Sequence, residues 1–456
     1  MKSVFRYLNY GLLAPWKYAQ LGIAIFPLCP LFGAIGIVLV LLRTWLQHYR
    51  SIINRPLNRG FALLSVLLII SASFAYDKTA AFLGLFNLIP YFLVFAASSA
   101  LIQTIAQLRQ LSWILTITSV PVIILGLGQL FLGWTTPEQG WIGVLGWAIA
   151  PGGEPPGRMS SIFMYANSLA GYLMIVFILQ LGLWVESYQQ LRTRRQSTQR
   201  DKVDKEDKVK LSPSLPHSLL FLTGASALNF LALILTNSRN AWAIALFACL
   251  AYALYQGWRI IVAGVMGIAA SVLVAAFAPT PVAQLFRKFV PAFFWARLND
   301  QLYPDRPVAL LRATQWQFAL SMTQDRPWTG WGLRNFTLLY EAKMNIWLGH
   351  PHNLFLMLLA ETGVPATLVF CGLLCWIFVG GFQLLRNSEY LEAKDKTILF
   401  SYLVAFTGWV LFNTVDVSLF DFRLSVISWL FLSALSGVVY RYSKQNSPID
   451  AKQPQP

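Results

Sequence analysis

The sequence is short of charge, since Asp, Glu, Lys and Arg make up only 12% of its 456 residues. A typical soluble domain carries about a quarter of such residues. Hydrophobic residues make up 56% of the chain, in long stretches. This composition excludes an ordinary soluble protein and predicts a chain that crosses a membrane many times.

Cysteine is also scarce. The four cysteines, Cys29, Cys249, Cys371 and Cys375, are scattered, and the last two are one helical turn apart within an apolar stretch. This spacing predicts neither a disulfide framework nor a zinc site. We interpret the cysteines as small apolar core residues.

The sequence motifs that are common in soluble enzymes are missing. The sequence has no P-loop, dinucleotide fingerprint, serine elbow or metalloprotease motif. Its net charge of +16 comes without a nucleic-acid-binding motif, and the basic residues lie between apolar stretches. We therefore expect no nucleic-acid partner and no cofactor.

Apolar stretches of roughly spanning length predict an all-α polytopic membrane protein with about 12 transmembrane helices. Eleven is the alternative, because Pro27 and Pro30 fit either a hairpin of two short helices or a kink in one helix. The stretches lie near residues 10–27, 30–43, 60–76, 80–101, 111–133, 159–185, 218–237, 240–257, 260–279, 353–385, 397–415 and 422–440.

Charge between the stretches predicts the orientation of the chain. Basic residues are enriched at 43–59, after residue 385 and at both termini, so we expect these regions in the cytoplasm. Residues 134–158, the junction at 238–239 and the segment 280–352 then lie outside. The predicted location is the plasma (inner) membrane.

The predicted organisation has four parts. Residues 1–279 form N-terminal transmembrane helices with a flexible cytoplasmic linker at 186–217, where charge is mixed and apolar periodicity is absent. Residues 280–352 form an extracytoplasmic loop. Residues 353–441 form the C-terminal transmembrane helices, and residues 442–456 a cytoplasmic tail.

The segment 280–352 is too long for a plain turn and too apolar for disorder, so we predict a helical cap between the ninth and tenth spans. Ala309, Ala313, Trp316 and Leu320 share one face of a predicted helix there, and Arg312 and Gln315 lie on another. The sequence DRPWTGWGLRNF predicts a tight turn near its middle.

Three ionisable residues stand at the ends of apolar stretches on the predicted outer side: Arg158, Arg239 and His352. An ionisable side chain near a bilayer costs free energy, so such a residue usually has a function. Arginine suits an anion, because its planar guanidinium matches phosphate oxygens. The alternatives are an interfacial Arg158 that snorkels, and an Arg239 paired with a structural carboxylate such as Asp416 or Asp421.

His352 suits a general base or a phosphate contact, because histidine exchanges protons near neutral pH. His350 lies two residues before it, but no further ligand at metal-site spacing follows, so we expect no metal. Asn167 would lie deeper in the membrane and needs a partner for its amide. Glu361 would either orient a partner or line a polar seam.

A reaction outside the cytoplasm without an ATP site needs a preactivated donor, and a lipid diphosphate is one. The chain resembles the O-antigen ligase and polymerase superfamily of membrane glycosyltransferases (the Wzy_C type). The motifs that carry this resemblance span about residues 60–440. They are RMSSIFMYANSLAGYL, LILTNSRNAWAIAL, LRATQWQFALSMTQDRPWTGWGLRNF and HPHNLFLMLLAETGV.

The resemblance implies a metal-independent, inverting transfer of a glycan from an undecaprenyl diphosphate carrier to a hydroxyl of a glycan or lipid acceptor. It implies that His352 and Arg239 are catalytic, and that Arg158, Arg239 and Arg312 bind the diphosphate. Asn167, Asn353 and Glu361 are then supporting residues. The chain departs from the family pattern at Asn240 and in Tyr165-Ala166-Asn167.

The chain also resembles cyanobacterial proteins once proposed to take part in inorganic-carbon uptake, which share the LILT-SR and QDRPW-G patterns. A bicarbonate transporter is therefore the alternative function. The sequence shows no paired half repeats with broken helices, which are the usual mark of a transporter.

Overall fold

The computed structural model describes residues 15–137, 143, 146–163, 165–203, 217–298, 307–387 and 391–445. Every regular element within them is helical, which confirms the predicted all-α class. In chain order the α-helices are α1 (15–25), α2 (Pro30–Ile53), α3 (Pro56–Ser73), α4 (Lys78–Gly84), α5 (Ile89–Leu101), α6 (Ile105–Phe131), α7 (Ala166–Val203), α8 (His217–Leu235), α9 (Arg239–Tyr255), α10 (Arg259–Phe277), α11 (Thr280–Arg287), α12 (Ala292–Leu298), α13 (Arg312–Asp325), α14 (Asn335–Met344), α15 (Leu354–Asn387), α16 (Ala393–Asn413) and α17 (Phe422–Gln445).

Ten helical stretches of the described chain are long and apolar enough to cross a membrane. The polytopic prediction is thereby confirmed, but the count of about 12 is not. Helix α9 is apolar but shorter than these ten, and α1 is described only from residue 15. At the N-terminal prolines the chain forms a hairpin, because the backbones of α1 and α2 meet at Gly22 and Gly33.

Helices α7 and α17 form the centre of the bundle. In each of these helices, 83% of the residues in the most apolar part are buried inside the protein. In α10 this share is only 11%, so α10 lies at the periphery. Helix α7 continues to Val203, through much of the predicted linker, and residues 204–216 lie outside the described chain. The predicted tail lies outside it from residue 446 onwards.

The segment 280–352 contains short helices, as predicted, and Gly330, Gly332 and Arg334 have the positive φ values of the predicted turn. The predicted apolar face is not the face that α13 buries, and Ala309 lies before this helix. The residues that α13 buries are Gln315, Phe318, Ala319 and Met322, and Leu320 is 45% exposed. Phe318 packs on Phe336 and Tyr340 of α14, so the neighbouring helix determines which face is buried.

Helix α15 is broken at Gly363, where φ is 79° and ψ is 169°. The loop 326–334 fills this break. Trp331 N–H donates to the Ala360 carbonyl at 3.0 Å and Gly332 N–H to the Glu361 carbonyl at 2.7 Å, while Val364 N–H donates to the Pro327 carbonyl at 2.8 Å. A broken membrane helix persists where neighbouring protein satisfies its freed backbone groups, as this loop does. The break separates the short first part, which follows His352, from residues 364–387.

Replacing Gly363 by alanine is expected to destabilise the protein by about 1–3 kcal/mol, because only glycine adopts this backbone region readily. A Cβ at this position would lie 2.5 Å from the Trp328 carbonyl oxygen. Thermal unfolding of the purified protein in detergent measures the change. Gly372→Ala in the same helix is the control, since its Cβ would meet no atom within 4 Å. Equal melting temperatures for the two variants would contradict the prediction.

Candidate functional site

Arg158 lies in the loop before α7 and is fixed by two helix ends. Its Nε donates to the Thr236 carbonyl at 2.8 Å, and its Nη2 donates to Asn167 Oδ1 at 2.5 Å. The loop is also held through Met159 N–H, which donates to the Leu235 carbonyl at 2.9 Å. The side chain therefore joins the end of α8 to the start of α7.

Arg239 begins α9, three residues after Thr236. The turn between them has Asn237 with φ of 56°, and the N-cap Ser238 makes no side-chain capping bond. The first turn of a helix offers backbone N–H groups and a positive dipole end to an anion. Arg158 and Arg239 thus flank one short turn, through the hydrogen bond of Arg158 to the Thr236 carbonyl.

Asn240, where the chain departs from the family pattern, has a structural contact of its own. Its Nδ2 donates to the Phe412 carbonyl at 3.0 Å, which ties the start of α9 to the end of α16. Asp416 follows four residues later. This bond therefore holds the residue after Arg239 against the end of α16, just before the α16–α17 turn.

Asn167 links Arg158 to a buried carboxylate. Its Nδ2 donates to Asp416 Oδ2 at 2.7 Å, while its Oδ1 accepts from Arg158. Both ends of this half-buried amide are used. The partner that the sequence predicted for Asn167 is therefore a pair of charged residues from two different segments.

Asp416 faces His352. Its Oδ1 accepts from Val417 N–H at 2.9 Å and lies 3.5 Å from His352 Nδ1, near the outer limit of a hydrogen bond. Burial raises the pKa of Asp416, but the hydrogen bond with His352 and the neighbouring imidazoles of His350 and His352 bring this pKa below its usual value. An ionised Asp416 favours a proton on Nδ1 of His352 and leaves Nε2 as an acceptor.

His352 has a left-handed backbone, with φ of 50°. Such a conformation costs about 1–3 kcal/mol in a non-glycine residue and concentrates at functional sites. Trp316 of α13 fixes the preceding residue, because its Nε1 donates to the Pro351 carbonyl at 3.0 Å. Arg312, at the start of α13, is close enough for its positive charge to lower the pKa of His350.

The structure thus brings Arg158, Asn167, Asp416 and His352 into one linked chain, with Arg312 beside His350. Asn353 and Glu361 have supporting contacts of another kind. Asn353 Oδ1 accepts from Leu356 N–H at 3.0 Å and caps α15. Buried Glu361 accepts at Oε1 from Phe336 N–H at 3.0 Å and so holds the start of α14. Glu361 is nine residues from His352 along the chain, about 13 Å in a helix.

Two residues of this site were not in the predicted set. Asp416 was considered only as a structural partner for Arg239, and His350 only as a metal ligand. The signal for Asp416 was an acid in the short turn between two apolar stretches. The signal for His350 was its position two residues before His352.

His350, His352 and Asp416 could together hold a metal ion, since their ligand atoms lie within 4.8 Å of one another. His350 Nδ1, however, already accepts the N–H of His352 at 3.1 Å. The positive charge of Arg312 acts on the same imidazole. Both features oppose a further cation, and we assign no metal here.

Residues 224–371, which are 148 of the 456 residues, match the family model described as O-antigen ligase. This match supports membership of the O-antigen ligase superfamily. No curated protein matches the chain. At the level of the family, the match supports an O-antigen ligase-like glycosyltransferase, and this family implies lipid-linked glycan substrates in a membrane. The matched residues include Arg239, Arg312 and His352, whereas Arg158, Asn167 and Asp416 lie outside the match.

Proposed function

We propose that the protein transfers a glycan from an undecaprenyl diphosphate carrier to a hydroxyl of a glycan or lipid acceptor outside the cytoplasm. The observation that carries this proposal is the linked chain from Arg158 through Asn167 and Asp416 to His352. Through this chain, a guanidinium that can bind an anion is joined to an imidazole that can accept a proton. These are the two groups that such a transfer requires.

In the proposed reaction, Nε2 of His352 takes the proton of the acceptor hydroxyl as its oxygen attacks the anomeric carbon. The bond between that carbon and the diphosphate oxygen breaks, and undecaprenyl diphosphate leaves with the electron pair. A single displacement of this kind inverts the anomeric centre. Asp416 stabilises the imidazolium that forms.

The arginines serve the leaving group. Arg158 and Arg239 contribute guanidinium donors at the turn between α8 and α9, and Arg312 contributes charge from the start of α13. The diphosphate gains negative charge as the bond breaks, so fixed donors stabilise the transition state more than the ground state. Guanidinium charge is sufficient for this purpose, so we propose a metal-independent reaction.

The site would lie on the outer face of the inner membrane. Helix α3 begins next to Arg55 and ends at Ser73, and near that end Ser71 Oγ donates at 2.6 Å to the Thr329 carbonyl of the loop 326–334, which joins α13 to α14. The basic stretch 43–59 is therefore at the opposite end of the bundle. Basic loops are retained in the cytoplasm, which supports an extracytoplasmic site.

Deletion of the gene in its host is expected to remove the ladder of capped or polymerised surface glycan on a gel. Wild-type protein should restore the ladder, while Arg239→Ala and His352→Ala at equal membrane levels should not. The shape of the lost ladder would separate a ligase from a polymerase. Unchanged glycans with reduced bicarbonate uptake would reject the transferase and favour the transporter.

A further inference from the structure

His350 is placed to control the backbone of His352. Its Nδ1 accepts the His352 N–H at 3.1 Å, across Pro351. Proline fixes its own φ and keeps the residue before it extended. The ψ of Pro351 and both dihedral angles of His352 remain free to vary, and His352 takes the left-handed conformation with φ of 50°.

The His350 ring is itself held in place. It stacks on Phe420, with ring centroids 5.6 Å apart and an angle of 11°, and meets the His352 ring edge-on at 4.5 Å. Burial lowers the pKa of His350 to about 4, the neighbouring His352 imidazole and Arg312 guanidinium add to the lowering, and Asp416 opposes it. The ring is therefore neutral near pH 7, and its Nδ1 is available as an acceptor.

A side-chain acceptor that bonds the N–H two residues later is the pattern of an Asx turn, normally made by Asn or Asp. His350 makes the same bond with Nδ1. This bond helps to offset the cost of the left-handed His352, which an unsupported histidine would escape by relaxing to a negative φ.

We propose that His350 is a positioning residue: its Nδ1 holds the His352 backbone in the conformation that places the His352 ring beside Asp416 and the acceptor. This inference rests on the proposed function, because it assigns His350 a role only through His352. It differs from a packing role, which would need the ring and not the acceptor atom.

Two variants of His350 test the role of the Nδ1 acceptor separately from the role of ring packing. His350→Asn keeps an acceptor near the position of Nδ1 and loses the stack on Phe420. His350→Phe keeps the stack and loses the acceptor. We expect His350→Phe to lower kcat about a hundredfold, the effect of a misplacement of about 1 Å, with little change in KM for the donor. His350→Asn should stay close to the wild-type kcat.

The assay uses purified full-length protein in detergent with a synthetic glycan-linked polyprenyl diphosphate donor, and thermal unfolding verifies the fold of each variant. Equal losses in the two variants, or a fully active His350→Phe, would overturn the proposal. In a His352→Ala background, His350→Phe should cause no further loss, because both changes act through one residue. If wild-type protein transfers nothing, the proposed function fails instead.

A measurement on wild-type protein needs no variant. With ¹⁵N-labelled histidine, we expect His350 Nδ1 to be unprotonated at neutral pH and to show the shift of a hydrogen-bond acceptor. A protonated Nδ1 at that pH would overturn the proposal whatever the enzymatic activity is.

Discussion

Replacing His352 by alanine is expected to lower the rate of glycan transfer about a thousandfold, because the acceptor hydroxyl loses the group that takes its proton. The donor should still bind, since Arg158 and Arg239 are unchanged. The loss should therefore appear in kcat and leave KM for the donor nearly constant. Initial rates with purified protein, measured in a buffer that contains EDTA, test both the residue and the proposed independence from metal.

Asp416→Asn provides the comparison. An asparagine cannot stabilise an imidazolium, so we expect a loss that approaches that of His352→Ala. The two residues act as a unit, and the double variant should lose little more than His352→Ala alone. Additive losses would show that Asp416 acts elsewhere. A folded His352→Ala protein with wild-type kcat would reject His352 as the proton acceptor.

Much of this site could be predicted from the sequence, because charge is rare in a chain of this kind. Arg158, Arg239 and His352 stood at the ends of apolar stretches, where an ionisable residue needs an explanation. Because successive spans alternate in direction, the basic segments assigned to the cytoplasm predicted all three residues on the outer side of the membrane. The structure brings Arg158 and His352 into one linked chain and places Arg239 at the turn that Arg158 contacts.

The connections between these residues could not be predicted. Asn167 and Asp416 are 249 positions apart, and their contact depends on how α7 packs against the α16–α17 turn. One sequence gives the period of each helix but not the partner that each polar residue meets. The same limit explains α13, where apolar periodicity located a face that the protein does not bury.

The break in α15 could not be predicted from the sequence either. Gly363 lies within a continuous apolar stretch, so hydropathy predicts an unbroken helix. What makes the break stable is the distant loop 326–334, whose N–H groups satisfy the freed carbonyls. The glycines of that loop predicted a tight turn, but not the helix that receives it.

Replacing Arg239 by alanine is expected to lower kcat/KM for the donor about 10²–10³-fold, the usual cost of removing one fixed donor from a developing anion. Arg239→Lys should recover part of the loss, since lysine keeps the charge but not the planar pair of donors. Rates with a diphosphate-linked donor measure the effect.

Arg259→Ala is a matched control. Arg259 is the first residue of α10, as Arg239 is of α9. The 17 residues of α9 separate the two positions by about 25 Å, so Arg259 lies at the other end of the bundle. Both changes remove one arginine from the start of a helix, but only Arg239 is near Arg158 and the proposed diphosphate. Equal losses in the two variants would show that net charge, and not a localised anion site, controls the reaction.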